Sequence, residues 1–375
     1  MLLISPPERS IHEYYMRMAL SLARLGAGHV SPNPQVGCVL VDYGTPEGRV
    51  ASLGYHRRYG APHAEADALA NARLGAPRCT AYVNLEPCCH TGHTPPCCDA
   101  LIRAGISRVV VGMADPDPRV SGGGVSALEK AGVEVIPGVL EDECRWLNRG
   151  FVKRVTSGRP WVTVKAAISI DGNMAMADGQ SKWITCAESR RRAHIARAEN
   201  DAVMVGIGTI LNDDPQLDVR DSDGHSPMKA VVDRDLRIPP RALALKGGNC
   251  AVFTGRPADG AKASELRSSG AKIIEMDTDG GGHIPPGLML RELAAMGVNR
   301  LMVEGGAGIA GSFIKSGLVD EYSVFIAPKL MGSGIKMSER LSFSLMEDAI
   351  PLKKFSARDV GGDIWFRGAP SCSRG

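Results

Sequence analysis

Two consecutive α/β domains are predicted for this chain on three observations. It has 375 residues, short apolar runs alternate with amphipathic stretches along it, and a Ser157-Gly158-Arg159-Pro160 break separates two such series. That length exceeds what one hydrophobic core usually serves, and alternating strand-like and helix-like stretches imply layered α/β architecture.

In the first series a helix is expected near 10–25. Strands are expected at 36–41, 79–85, 108–112 and 133–136, where apolar and β-branched residues run together. Helices are expected near 64–74, 97–104, 123–131 and 141–150, the second opening after Pro95-Pro96, where proline costs a helix little. The break at 157–160 has the composition of a junction, so a first domain is expected over 1–150 and a second over 151–368. The second series reads as strands at 161–168, 202–205, 229–232, 250–253, 300–303 and 321–327, with a helix at 188–199. The tail 369–375 is expected to be flexible.

Composition removes several classes of function. A hydrophobic fraction of 44% and a charged fraction of 23% describe an ordinary globular protein, and no apolar run approaches the roughly 20 residues a membrane span needs. The opening MLLISPPERSIHEYY carries prolines and early acids where a signal peptide would carry a basic region and an apolar core, so a cytoplasmic location is expected. A net charge of +3 is too small and too evenly spread to mark a nucleic-acid surface. The densest basic stretch, Arg190, Arg191, Arg192 and Arg197, reads as a solvated helix face or as a phosphate-facing cluster. Ten irregularly spaced cysteines without a secretion signal point to thiols or metal ligands, not a disulfide framework.

The chemistry is concentrated in His63-Ala64-Glu65, Pro87-Cys88 and Cys97. One imidazole and two thiolates suit zinc and leave its fourth tetrahedral position for water. Zinc deaminases pair such a His/Cys/Cys set with a non-ligating glutamate that moves protons, the role expected of Glu65. Cys88 ends a strand and Cys97 opens a helix, whose N-terminus favours a thiolate. Spacing alone leaves Cys89 and Cys98 as competitors, and a closed structural site would recruit His90 or His93 as a fourth ligand. The two cysteines stand eight residues apart where the general signature has Cys-x-x-Cys.

In the second series, 300–303 reads as a strand, 306–311 spells G-x-G-x-x-G and 312–316 reads as the following helix. Glycines there let backbone amides approach a phosphate. No acidic residue ends a strand about 20 positions on, so a Rossmann domain is not expected.

These motifs resemble a known family. Asn33-Pro34-x-Val36-Gly37, His63-Ala64-Glu65, Glu86-Pro87-Cys88, Thr94-Pro95-Pro96-Cys97 and Asp115-Pro116-x-Pro118 look like the deaminase half of the bifunctional riboflavin-biosynthesis deaminase/reductase. Lys165, Ser169-x-Asp171-Gly172, Ser181-x-Trp183-Ile184-Thr185, 197–201, Gly208-Thr209, Asp213-Asp214-Pro215, Arg220 and 303–306 look like its reductase half. The resemblance implies a cytidine-deaminase-like three-layer domain followed by a dihydrofolate-reductase-like domain. It also implies zinc and NADPH as cofactors and a homodimer formed through the reductase domain. The substrate implied is a diaminopyrimidinone ribosylamine phosphate, deaminated and then reduced to a ribityl chain.

Residue roles follow from the same resemblance. His63, Cys88 and Cys97 hold zinc, Glu65 is catalytic, and Asn33, His56, His90 and Asp115 line the pyrimidine and ribose-phosphate pocket. Ala167, Trp183, Thr209, Asp213 and the run Gly306, Ala307, Gly308, Ile309, Ala310, Gly311 and Ser312 face NADPH. Lys165, Ser181, Arg197, Leu217, Arg220 and Glu304 face the substrate, with Lys165 either assisting proton transfer or forming a structural ion pair. His93, Asp117 and Arg234 depart from the family's usual residues. A neutral imidazole at 93 would weaken a phosphate contact, whereas Arg234 would add a contact to the cofactor's 2′-phosphate or simply be exposed. Two rivals are a nucleic-acid-editing deaminase, disfavoured by 5% aromatics, and a non-catalytic zinc and nucleotide scaffold, disfavoured by the complete His/Glu/Cys/Cys set.

Overall fold

The structure is a computed structural model that describes residues 6–45, 48–72, 79–90, 95–118, 120–220, 224–339 and 341–371. The chain divides into two compact units, Met1–Thr156 and Ser157–Gly375.

The first unit runs α1 (Pro6–Arg24), β1 (Gly37–Asp42), β2 (Arg49–Tyr55), α2 (Ala64–Ala70), β3 (Cys79–Leu85), α3 (Cys97–Arg103), β4 (Arg108–Met113), α4 (Gly123–Lys130), β5 (Glu134–Ile136), α5 (Glu141–Leu147) and α6 (Arg149–Ser157). Its sheet has the order β2-β1-β3-β4-β5, antiparallel from β2 to β3 and parallel from β3 to β5. Every residue of β3 is buried, as a strand covered on both faces should be. α1 and α5 cover one face, and α2, α3 and α4 the other, giving three layers. Tyr15, Met16, Ala19, Leu20 and Ala23 recur at helical spacing on α1 and face the sheet.

Gly54 decides how closely α2 can approach. A Cβ at Gly54 would lie 2.3 Å from Ala68 N and 2.4 Å from Ala64 O, so only glycine lets the start of α2 rest on β2. Two expectations change here. α2 ends at Ala70, before the expected limit of 74, with part of that stretch outside the described residues. The helix expected over 141–150 is two helices, because Asn148 breaks the run and gives its side chain to the Gln35 backbone. β2, an edge strand with a mixed burial pattern, carried no clear alternation in the sequence.

The second unit runs β6 (Trp161–Ser169), β7 (Asn173–Met176), α7 (Ala187–Ala198), β8 (Ala202–Gly206), α8 (Ile207–Asp213), β9 (Met228–Val232), β10 (Cys250–Gly255), α9 (Gly260–Ser268), β11 (Ala271–Met276), α10 (Pro286–Ala295), β12 (Arg300–Glu304), α11 (Ala307–Lys315), β13 (Glu321–Ala327), β14 (Gly334–Lys336), β15 (Leu352–Val360) and β16 (Asp363–Pro370). A nine-stranded sheet has the order β11-β10-β9-β8-β12-β6-β13-β16-β15. It is parallel from β11 to β13, and β16 and β15 extend it antiparallel. Separate apolar cores built around Phe253 and Phe313, and around Val203, Val252 and Met302, belong to this sheet.

The chain builds outward from β8 to β11 and then returns to insert β12 between β8 and β6. Such a switch point opens a crevice at the carboxyl ends of the strands, where α/β proteins bind ligands. The tail differs from expectation, since β16 reaches Pro370 and Ser371 N donates to Pro351 O. Residues 372–375 lie outside the described residues. Among the described residues no helix is long and apolar enough to cross a membrane.

Candidate active sites

At the start of α2, His63 is the N-cap residue, with extended backbone, and Glu65 lies in the first turn with 3% exposure. Cys88 follows β3 and Cys97 is the first residue of α3. The chosen ligand atoms of His63, Cys88 and Cys97 all lie within 4.8 Å of one another. His63 Nδ1 stands 3.6 Å from Cys88 Sγ and 3.3 Å from Cys97 Sγ. Tetrahedral zinc at its usual bond lengths separates an imidazole nitrogen from a thiolate sulfur by roughly 3.6 Å, so the donor set fits that ion.

The competing cysteines face elsewhere. Cys98 is 1% exposed, and its Sγ donates to the carbonyls of Pro87 and Gly124. Cys97 N donates to Cys88 Sγ at 3.4 Å, which supports a thiolate at Cys88. The two sulfurs compete for one proton. The Cys97 thiol's hydrogen bond holds Cys88 low, at about 4, and the same contact pushes Cys97 up. Burial, then the Cys88 charge, raises the pKa of Glu65, suiting a carboxylate that must take up and release protons. His90 is exposed and falls outside the three-residue cluster found among the described residues. His93 and Thr94 lie outside the described residues.

The pocket walls come from neighbouring loops. Asn33 Nδ2 lies 3.1 Å from His56 Nε2, and His56 Nδ1 lies 3.0 Å from Pro62 O. A carbonyl can only accept, so the His56 proton sits on Nδ1 and Nε2 accepts from Asn33. Burial lowers the His56 pKa and favours this neutral form. The His56 ring meets the His63 ring edge-on at 5.4 Å. Asp115 accepts from Asp117 N, and burial raises its carboxyl to about 6.

Two supports were not singled out from the sequence as such. Glu86 is 3% exposed, and its carboxylate accepts from four backbone amides, those of Asp115, Gly122, Gly124 and Val125. It joins the end of β3, the Asp115 loop and the start of α4. Asn84, fully buried in β3, accepts from Gly37 N and donates to Gln35 O, while Asn148 accepts from Gln35 N. Together they fix the segment that follows Asn33. A lone asparagine in an otherwise apolar strand was the readable signal.

In the second unit the carboxyl end of β12 lies between β8 and the middle of β6. Lys165 and Glu304 are register partners on β6 and β12. The Glu304 carboxylate accepts from Arg197 Nε and Nη2, each at 2.8 Å, and lies 3.9 Å from Lys165 Nζ. Burial opposes the Glu304 charge, but Arg197 and then Lys165 hold its pKa down at about 2. Burial lowers that of Lys165, leaving an ammonium readier to release a proton.

The glycine-rich stretch is not the loop expected over 306–311. Gly306 is the N-cap residue and α11 begins at Ala307, five residues earlier than expected. The turn lies at Gly305, with φ of 142°, where a Cβ would come within 3.0 Å of Thr209 Oγ1 and 3.3 Å of Ile309 Cγ2. The start of α11 therefore stands against the start of α8. Their free amides and open glycines, with no atom within 4 Å of a Cβ built on Gly306 or Gly208, fit a dinucleotide phosphate.

Not every expected contact is brought to this edge. Ala310 and Gly311 are buried on the core face of α11, because a helix turns them away from its mouth. Leu217 is 2% exposed and packs in the core, with φ of 54°. Asp213 is exposed in the last turn of α8, whereas Thr209 lies in the first. Ala167, Ser181, Gly308, Ile309 and Ser312 are part-buried, Ala307 is 5% exposed and Trp183 is 66% exposed. Arg220 is exposed and pairs with Gln216 and Asp218. Arg234 bonds both carboxylate oxygens of Asp235 and the Gly282 carbonyl.

Comparison with known proteins agrees over both units. Residues 9–113 match the cytidine and deoxycytidylate deaminase zinc-binding region, and residues 160–365 match the RibD C-terminal domain. The riboflavin biosynthesis protein RibD of Aquifex aeolicus is 41% identical over 357 residues, covering 95% of this chain and 98% of that protein. A solved structure of Acinetobacter baumannii RibD superposes with a TM-score of 0.89 at 35% identity, covering 97% of this chain and all of the other. A Thermotoga maritima structure, described as a diaminohydroxyphosphoribosylaminopyrimidine deaminase/5-amino-6-(5-phosphoribosylamino)uracil reductase, gives 0.83 at 32% identity, covering 96% and 99%.

Proposed function

The chain belongs to the RibD family of riboflavin-biosynthesis proteins, and on that premise we propose how its residues divide two successive reactions. It is a zinc-dependent deaminase and an NADPH-dependent reductase on one chain, acting on a small pyrimidine ribosyl phosphate. The observation that carries the residue assignment is the buried Glu65 carboxylate, two residues beyond His63 of the trio with Cys88 and Cys97.

His63, Cys88 and Cys97 hold the zinc in this reading. When bound, it supplies a Lewis acid that makes water nucleophilic near neutral pH. Glu65 accepts the proton that water gives up and passes protons to the ring nitrogen and to the departing amine. His56, fixed by Pro62, orients Asn33 at the ring, and Asp115 faces the sugar phosphate. A nucleic-acid-editing reading lacks support in the charge and aromatic content, and the complete proton-handling set speaks against a scaffold.

In the reductase half NADPH supplies the hydride. The paired starts of α8 and α11 receive its phosphates with Thr209 beside them, and Trp183 faces the cofactor from its loop. The exposed Arg220 guanidinium faces the substrate phosphate in this reading, and Arg197, its Nε and Nη2 taken by Glu304, lends the site its charge. Lys165 Nζ donates a proton to the nitrogen or oxygen doubly bonded to the sugar carbon that accepts hydride.

Division of the chain near residue 150 into these two activities belongs to the same proposal, as does a homodimer formed through the reductase unit. Phe355 and Ile364 on the β15–β16 hairpin are 66% and 47% exposed, apolar area that a second copy would cover. A cytoplasmic location belongs to the same proposal. The test is to supply the diaminopyrimidinone ribosylamine phosphate with and without NADPH. Ammonia without NADPH, and ribityl product only with it, is the expected result. Full ammonia release by Glu65→Gln would refute the assignment.

A further inference from the structure

The Ser181–Trp183 segment is a loop between β7 and α7, bonded to Lys329 just after β13, and a loop places a ligand contact well only if something holds it. The Trp183 ring is 66% exposed, yet it is not loose on both faces. The Arg190 guanidinium lies 4.3 Å from its centroid. Arg190 is in turn fixed, because its Nη1 donates to Thr185 O at 2.6 Å and its own amide bonds Cys186 O in the first turn of α7. The backbone beneath the ring is held from the other side of the loop. Lys329 Nζ donates to Trp183 O at 2.9 Å and to Ile184 O at 2.8 Å.

Lys329 is itself tied to the sheet. It follows β13, its carbonyl accepts from Ile170 N, and Asp171 accepts from Met331 N and Gly332 N at the end of the same loop. Two cations therefore act on one tryptophan, one at the ring and one at the carbonyl. A guanidinium over one indole face is attracted to the ring quadrupole and leaves the other face open. An indole fixed in this way is a stacking platform for a planar ring.

We infer that Arg190 and Lys329 are positioning residues that hold Trp183 as a stacking platform for a ring of NADPH. The inference rests on the reading that Trp183 faces the cofactor, and the two can fail separately. In this inference each cation acts through the tryptophan, on which its described contacts converge. Arg190, one member of the basic stretch 190–192, thus has a task other than solvation or phosphate binding.

The test is a titration of the full-length protein with NADPH, reading the dissociation constant directly by calorimetry and by quenching of tryptophan emission. Arg190→Gln should weaken binding on the order of two- to five-fold, as expected for one exposed cation–π contact, with Arg190→Lys recovering part of the loss. Lys329→Met should weaken it in the same direction, with Lys329→Arg recovering part. KM for NADPH should rise in parallel, while ammonia release by the first unit stays at the wild-type rate. The deciding arm is the cycle with Trp183→Ala. In that background Arg190→Gln and Lys329→Met should add no further loss. If Trp183→Ala leaves NADPH affinity unchanged, the reading of Trp183 as a cofactor contact fails. If Trp183→Ala weakens binding but the cation variants do not, or if their losses add fully to it, the positioning inference is overturned and that reading stands.

Discussion

Replacing Glu304 by glutamine tests the electrostatics of the reductase crevice most directly. The carboxylate is 7% exposed and carries two bonds from Arg197 with Lys165 near by. Its pKa falls from 4.5 to about 2, a difference of about 2.5, which at about 1.4 kcal/mol per unit corresponds to about 3 kcal/mol favouring the folded, ionised form. Because the pKa is depressed, this contribution is complete above the unfolded value and is lost as pH falls toward the folded one. Glu304→Gln should therefore cost about 3 kcal/mol near pH 7, and the difference from wild type should shrink to about half near pH 3. Two buried cations would then face each other without a counter-charge, so adding Lys165→Met should return part of the loss. Urea unfolding followed by tryptophan emission reports on the right unit, since Trp161, Trp183 and Trp365 lie in it and only Trp146 lies outside. With slopes of roughly 1–3 kcal/mol per molar urea, the midpoint should move by about 1–3 M. A loss below about 1 kcal/mol, or a loss equal at pH 3 and pH 7, would refute the reasoning.

The other predictions concern the first unit. Glu65→Gln should lower ammonia release by roughly 10²- to 10⁴-fold, while reduction of supplied deaminated product stays normal; coupled loss of both activities would count against it. Asp115→Asn should stabilise the protein at neutral pH. The raised carboxyl favours the fold only while protonated, so wild type loses that contribution between about pH 4 and 6. With the group only part-buried, the gain should be on the order of 1 kcal/mol at pH 7 and vanish below pH 4, which melting curves across that range would check. Chelation of zinc should abolish ammonia release and lower the unfolding temperature of the first unit, while calorimetric NADPH affinity is unchanged. Glu86→Ala strands four amides in a part-buried loop and should cost at least about 2 kcal/mol, measured by denaturant unfolding.

The metal trio was legible because its chemistry sits in residue types. A histidine and two cysteines flanking a strand and two helix starts have few other uses, and the fold brings them to within bonding range of one ion. Buried strands such as β3, with seven covered residues, were legible for a similar reason. What escaped depends on backbone geometry. The sequence pattern G-x-G-x-x-G does not say which glycine turns the chain, and here it is Gly305, before the pattern begins. Leu217 carries no mark in the sequence that its side chain would point into the core. β15 stayed hidden because an exposed edge strand has no burial alternation to display. Lys329 and Arg190 are chemically ordinary, and only their placement on one tryptophan separates them from other surface cations.

The Glu86 carboxylate also bears on how this protein can change. Its four acceptor bonds make the Asp115 loop and the start of α4 dependent on one side chain just after β3. A substitution or insertion within that loop is tolerable only if it keeps the amides aimed at this carboxylate. The loop and Glu86 should therefore be inherited, grafted or redesigned as one block, with substrate preference free to drift only at the side chains that point outward from it.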